Sequence, residues 1–155
     1  VASIPPKRDE PERLKRGKAF HKDIQAEWER EAEGDVRSEQ PIAKLSGRRG
    51  RIDVHVDDGD VVAVVELKAT DWDRMTPQAV RRNVRRQAAQ VWQYVESQLT
   101  EGKDVCPGVI FPCVPSEPER VRLIEGMFEE EGIQVVWRDE TTEECRERHR
   151  GEPPK

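Results

Sequence analysis

Long apolar runs are missing from this chain of 155 residues. The longest, Val61 to Val65, falls far short of the ~20 residues that a membrane-spanning helix needs. No segment has the basic, apolar and small-residue succession of a signal peptide, so a soluble protein with no membrane partner is expected. Aromatic residues make up 5% of the chain and apolar residues 34%, enough for one domain with one modest core. Cysteine is sparse as well. Cys106, Cys113 and Cys145 have neither an even count nor CxxC spacing, which points to reduced thiols rather than a zinc site or a disulfide framework. The chain opens on Val rather than Met, as a piece of a longer polypeptide would.

Charge, by contrast, is abundant. Charged residues account for 38% of the chain, the net charge is −5 and the mean hydropathy is −0.90. An acidic total argues against a surface that holds nucleic acid everywhere. The distribution is uneven, however. Arg48, Arg49 and Arg51 cluster together, and Arg74, Arg81, Arg82, Arg85 and Arg86 follow with no acid between 74 and 86. Acid collects in Glu129 to Glu131 and from Asp139 onward. This suits a locally basic groove on an acidic body; the alternative is a solvated arginine face on a helix.

Residues 1–11 carry Pro5, Pro6 and Pro11 among charges, as a disordered leader or linker does. A domain is expected over 12–138, followed by a charged, solvated tail over 139–155 that can be helical for a few turns. Leu14, Phe20, Ile24 and Trp28 recur at helical spacing from Glu12 to Ala32. A weak strand follows from Val36 to Ala43, confined by Pro41 to a sheet edge or a bulge. Residues 51–56 and 61–70 read as two strands around the turn signal Asp57-Asp58-Gly59-Asp60. Thr76-Pro77 opens a helix that runs to Leu99, with Val80, Val84, Ala88, Val91 and Val95 on its apolar side. A strand over 105–114, a helix over 118–131 and a strand over 133–137 complete a mixed α/β pattern.

The hairpin raises the chemical question. Side chains alternate faces along a strand, so Glu66 and Lys68 share one face of an otherwise valine-rich strand. Idle charges are costly there. A turn centred on Asp58 and Gly59 sets Asp53 across from Val64 and diagonal to Glu66, ~7 to 8 Å away, with Ile52, Val54 and Val56 on the opposite face. Two carboxylates at that separation can grip one hard cation, Mg²⁺ or Mn²⁺, and Lys68 can hold or activate water or neutralise a developing phosphorane. The alternative is an ordinary charge ladder on a solvated sheet face.

A strand Asp followed by Glu-Leu-Lys at the end of the next hairpin strand, inside an αβββαβ order, resembles the PD-(D/E)XK superfamily of restriction-endonuclease-like nucleases. The resemblance covers 15–137. It implies an α/β fold with a restriction-endonuclease-like αβββαβ core, a mixed central sheet flanked by helices. It also implies metal binding by Asp53, Glu66 and the Leu67 carbonyl, with Lys68 catalytic. Ile52 stands where many members have Pro. Gln90-Val-Trp-Gln-Tyr94 is similar to the Gln-x-x-x-Tyr motif of exonuclease-like branches, which adds Gln90 to the catalytic group. Arg82, Arg86, Gln90 and Tyr94 are four residues apart and form one helical stripe that suits a phosphate backbone. A partly buried Tyr94 and an interfacial Gln90 are the alternative.

His21 occupies the inward position of the first helix where many relatives carry Glu, with Gln25 one turn on. It is read as a substrate-binding residue or as a hydrogen-bonded core histidine. The missing acid favours one metal over two. His55 shares the Asp53 face, as a site neighbour or an exposed residue, and Trp72 stacks on a base or packs in the core. The resulting expectation is a Mg²⁺- or Mn²⁺-dependent nuclease that prefers DNA. An RNase of the same fold and a non-catalytic nucleic-acid-binding or assembly module are the alternatives. The small module behind a proline-containing leader also resembles toxin domains of secreted bacterial effectors. That likeness implies delivery from outside, a cytoplasmic site of action and an immunity or inhibitor protein; a homodimer would suit double-strand cleavage.

Overall fold

The computed structural model describes residues 12–31, 34–44, 49–99 and 101–150. The expected leader over 1–11 and Arg48 lie outside them. The elements run α1 (Glu12–Glu31), β1 (Asp35–Ala43), β2 (Arg49–Asp57), β3 (Val61–Leu67), a short 3₁₀ turn (Trp72–Arg74), α2 (Pro77–Leu99), β4 (Asp104–Phe111), α3 (Pro118–Glu130), β5 (Gln134–Trp137) and α4 (Thr142–Arg150). One mixed sheet orders them β1-β2-β3-β4-β5. The first three strands are antiparallel and the last three parallel.

That topology follows from the connections. A tight turn can join only antiparallel neighbours, whereas α2 and α3 are crossovers long enough to return the chain parallel. β3 is central and covered on both faces, which explains its nearly unbroken apolar run. Ile24 of α1 packs on Val54, Val56, Val65, Leu67 and Ile110 on one face. On the other, Val80, Val84, Val91 and Val95 of α2 meet Val109 and Phe111 and, through them, Ile124 and Phe128 of α3. Pro41 sits on the edge strand β1, where its missing N–H costs no ladder bond on the solvent side. Trp72 is 2% exposed and edge-on to Phe111, so it is a core residue and not a platform for a base.

The hairpin register differs from the expected one. The turn is centred on Gly59 and Asp60, not on Asp58 and Gly59. Asp58 N–H donates to the Val61 carbonyl at 3.2 Å, and the Asp58 carboxylate accepts from the Asp60 and Val61 N–H groups. The positive φ of Gly59, 100°, is what the first central position of such a turn demands. Val64 therefore faces His55, and Val65 faces Val54. Continuing the register by one step brings Asp53 opposite Glu66 rather than diagonal to it. A slip of two in pairing would by itself leave each side chain on its face.

Residues beyond 139 do more than sit in solvent. Thr141 caps α4, accepting from Glu144 N–H at 3.1 Å and donating to the Glu144 carboxylate at 3.0 Å. Arg148 then reaches back to α3. Its guanidinium makes two bonds to Glu125 at 2.7 and 3.0 Å and two more to Glu140 at 2.8 and 2.9 Å. Burial works against the Glu125 charge, but bonds from Arg148, Trp137 and His149 overcome it and hold the carboxyl below its ordinary range. Planar bidentate pairing of this kind is specific to arginine. Arg148→Ala is expected to destabilise the fold by roughly 2 to 4 kcal/mol in urea unfolding at pH 7, because it strands a mostly buried carboxylate. With the Glu125 pKa depressed below 4.5, the stability that the pair contributes is present above that pH and is lost as the pH falls through the depressed value, so the deficit of the variant shrinks in acid.

Candidate active site

The strand ladder between β2 and β3 stops at Val54–Val65. Beyond it the strands part, and the Asp53 side chain fills the gap. Its Oδ2 accepts from the Leu67 backbone N–H at 2.8 Å, and its own N–H lies 3.3 Å from Glu66 Oε1. Each acid is thus tied to the backbone of the other strand. Bonds of this type restrict a carboxylate to one position far better than its rotamers alone would.

Alternation breaks at the same level. Ile52 packs beside Tyr94 on the α2 side, yet Val54 packs beside Ile24 on the α1 side, so Ile52 and Val54 do not share the face expected of them. β1 carries a matching irregularity. Ser38 Oγ bonds Glu29 of α1 at 2.8 Å, and the very next residue, Glu39, accepts from Gln25 of α1 at 3.0 Å. Glu39 has φ 53°, the left-handed region that a non-glycine residue seldom occupies. The local kink turns the Glu39 carboxylate toward the helix as well, as bulges commonly do beside functional sites. Gln25 ties the two kinks together, because its side-chain amide also donates to the Asp53 carbonyl at 3.0 Å.

His21 completes this side. Its Nδ1 lies 3.8 Å from Asp53 Oδ1, and His21, Glu39 and Asp53 each offer a ligand atom within 4.8 Å of the others. Glu66 is 2% exposed. Burial, followed by the neighbouring Asp53 carboxylate, pushes its pKa up to about 9. Two acids forced together in this way need either a shared proton or a cation between them. The donor set, carboxylate oxygens with one imidazole, therefore fits a divalent cation such as Mg²⁺ or Mn²⁺.

Lys68 leaves the end of β3 with its backbone N–H on the Ile110 carbonyl at 3.0 Å. Its ammonium donates to Gln90 Oε1 at 2.5 Å, which fixes the long side chain against α2. Tyr94, one turn beyond Gln90, is 5% exposed. Burial and the Glu66 carboxyl raise its phenol above its ordinary pKa. Gly50 makes room for that ring, since a Cβ there would come within 2.9 Å of Tyr94 Cε1. Arg82 and Arg86 are exposed on the N-terminal half of α2, and Arg86 bonds Asn83 at 2.6 Å. The stripe from Arg82 to Tyr94 thus runs from solvent into the core.

The structure brings together Asp53, Glu66, Leu67, Lys68, Gln90 and His21. It adds Glu39 and Gln25. His55 is neither exposed nor beside the acids; it is buried, with Nε2 on Gln98 Oε1 at 2.9 Å. No signal in the sequence marked Glu39, which sits in a strand weakened by Pro41 and depends on a backbone kink for its direction. No protein-family model, no curated protein and no solved structure matches the chain.

A folded-state pKa of about 9 for Glu66 against an ordinary 4.5 means that the unfolded chain loses the proton first, so Glu66 opposes folding increasingly as the pH rises from 4.5 toward 9. Glu66→Gln is therefore expected to raise the stability of the ion-free protein in EDTA by roughly 1 to 3 kcal/mol at pH 8, with little gain below pH 4.5, as read by denaturant unfolding.

Proposed function

We propose that the chain is a divalent-metal-dependent phosphodiesterase with a restriction-endonuclease-like core, acting on DNA. The observation that carries this reading is the meeting of the Asp53 and Glu66 carboxyls where β2 and β3 part, with the Lys68 ammonium held nearby by Gln90. A structural charge ladder would leave such groups solvated and apart; here one acid is buried and the other replaces a backbone acceptor in the sheet.

In this reading Asp53 and Glu66 would hold Mg²⁺ or Mn²⁺, while His21 and Glu39 each place a ligand atom within 4.8 Å of one on Asp53. The bound cation supplies charge neutralisation for the phosphate and a more acidic water. Lys68 donates to the attacking water or to a phosphoryl oxygen, and stabilises the negative charge that grows there. Gln90 is a positioning residue that keeps the ammonium from swinging into solvent. Arg82 and Arg86 draw in the phosphate backbone without reading bases, which implies low sequence selectivity. Tyr94 packs with Ile52, Val62 and Val64 and so fixes the face of α2 on the sheet.

The test is incubation with supercoiled plasmid and with total RNA in Mg²⁺, in Mn²⁺ and in EDTA. Cleavage is expected with either metal and not in EDTA. Lys68→Ala is expected to reduce the rate by about 10²-fold or more, the usual cost of removing one donor from a site of developing charge. Gln90→Leu, which frees the ammonium without deleting it, is expected to cost about 10-fold. Cleavage of RNA alone would move the substrate to the rival class. Folded wild-type protein that binds neither Mg²⁺ nor Mn²⁺ would overturn the reading.

A further inference from the structure

The solvent side of α2 carries charge that the fold leaves unanswered. Arg81, Arg82, Arg85 and Arg86 are all exposed, and no acid occurs between Arg74 and Val95. Among the described residues no carboxylate pairs with Arg81, Arg82 or Arg85, and Arg86 bonds the neutral Asn83 at 2.6 Å. Other arginines are answered within the fold, Arg37 by Asp35, Arg138 by Glu27 and Arg148 by Glu125. Spacing sharpens the contrast. Arg81 with Arg85 and Arg82 with Arg86 are like-charged pairs four residues apart, which weaken a helix instead of supporting it. On a chain whose net charge is −5, this local positive surface calls for a polyanion.

The four arginines form two stripes. Consecutive residues are about 100° apart around a helix, so Arg81 and Arg85 lie to one side and Arg82 and Arg86 to the other. Gln78 and Ala89, exposed and uncharged, occupy the crest between them. Contacts farther along α2 show where each stripe leads. Arg82 and Arg86 continue to Gln90, whose side chain holds the Lys68 ammonium. Arg81 and Arg85 continue to Trp92, whose indole N–H donates to the Glu131 carbonyl at the end of α3 at 2.9 Å.

That geometry discriminates among nucleic acids. A helix with its side chains is ~10 to 12 Å across, so guanidinium groups on its two flanks are on the order of 10 Å apart. One strand offers one row of phosphates, which fits one stripe. Two rows at about this separation border the major groove of B-form DNA, which is ~12 Å wide and admits a helix. The major groove of an A-form RNA duplex is too deep and narrow to do so.

We propose that the N-terminal half of α2 docks in the major groove of duplex DNA. Arg82 and Arg86 hold phosphates of the strand that reaches Asp53, Glu66 and Lys68, and Arg81 and Arg85 hold phosphates of the opposite strand. The inference rests on the nuclease reading for which strand is cut, and narrows its substrate to duplex DNA. Docking itself needs neither metal nor cleavage, so the two are measured apart.

The test is fluorescence anisotropy of the full chain in EDTA with a short DNA duplex, with one of its strands alone, and with the RNA duplex of the same sequence. The DNA duplex is expected to bind about 10-fold more tightly than either. Replacing both Arg81→Gln and Arg85→Gln is expected to weaken the DNA duplex about 10-fold and to lower the slope of log affinity against log salt by about 2, while the single strand loses less than about 2-fold. Replacing both Arg82→Gln and Arg86→Gln is expected to weaken duplex and single strand alike. All four positions are exposed, so folding is not at stake. Equal losses on duplex and single strand when Arg81 and Arg85 are replaced, an RNA duplex bound as tightly as DNA, or no binding of the DNA duplex at low salt overturns the proposal. The expected binding pattern in a protein that cleaves nothing with Mg²⁺ or Mn²⁺ supports the docking and sinks the nuclease reading instead.

Discussion

The closeness of the Asp53 and Glu66 carboxyls is the constraint on which the rest of the site depends. Like charges held side by side in a largely buried place repel, and the repulsion is relieved by keeping a proton on one of them or by placing a cation between them. The chain accepts that penalty at the centre of its sheet, where β3 is otherwise apolar and covered on both sides. Backbone N–H groups hold both acids in place, and Gln25 braces the Asp53 carbonyl from α1. The surrounding packing of Ile24, Val54, Val65 and Leu67 makes this arrangement rigid. The fold thus meets in advance the strain of holding the two acids together.

How much of this was legible in the sequence depended on what kind of signal each residue leaves. Asp53, Glu66 and Lys68 could be found because charged residues contradict a valine-rich strand, and because turn chemistry restricts register to choices that differ by two. The exact pairing could not be found, since Asp57-Asp58-Gly59-Asp60 supports a turn centred on either of two neighbouring pairs. Only the carboxylate of Asp58, accepting from Asp60 and Val61, decides it. The helix from Thr76-Pro77 to Leu99 was plain from its apolar spacing and cap. Glu39 was invisible, because its role depends on a left-handed backbone at a residue whose type gives no hint of it. The few helical turns expected of the tail are there as α4, but its anchorage to α3 was missed for a related reason. Arg148 and Glu125 are 23 positions apart, and a long-range ion pair leaves no periodic trace.

The paired kinks at Glu39 and Asp53 change the problem that the first helix posed. That helix carries His21 where an acid was looked for, and a missing acid favoured one cation. The kink in β1 returns a carboxylate to the same neighbourhood from a different element. Side chains on three elements, α1, β1 and β2, therefore converge on one point, while β3 contributes from the other side of the gap. Such convergence does not require any single element to be unusual in composition. Here two strands lose alternation at the same level, with Glu39 and Asp53 both falling between the pairs Ser38–Val54 and Gln40–Ile52.

The division of the sheet into two faces then gives α2 a double task. Its N-terminal half, with Arg82 and Arg86 exposed, lies beyond the end of β3 where Lys68 emerges, and Gln90 at its middle holds that lysine. Its C-terminal turn, with Ser97 and Gln98 buried, closes over His55 and a polar cavity on β1 and β2. Between them Tyr94 packs against Ile52 and the bare backbone of Gly50, so the helix cannot slide along the sheet without a clash. A shift of α2 along the sheet would carry Gln90 with it. The ammonium of Lys68 is the group most sensitive to such a shift, because a long flexible side chain held by one hydrogen bond keeps its position only while the partner keeps its own.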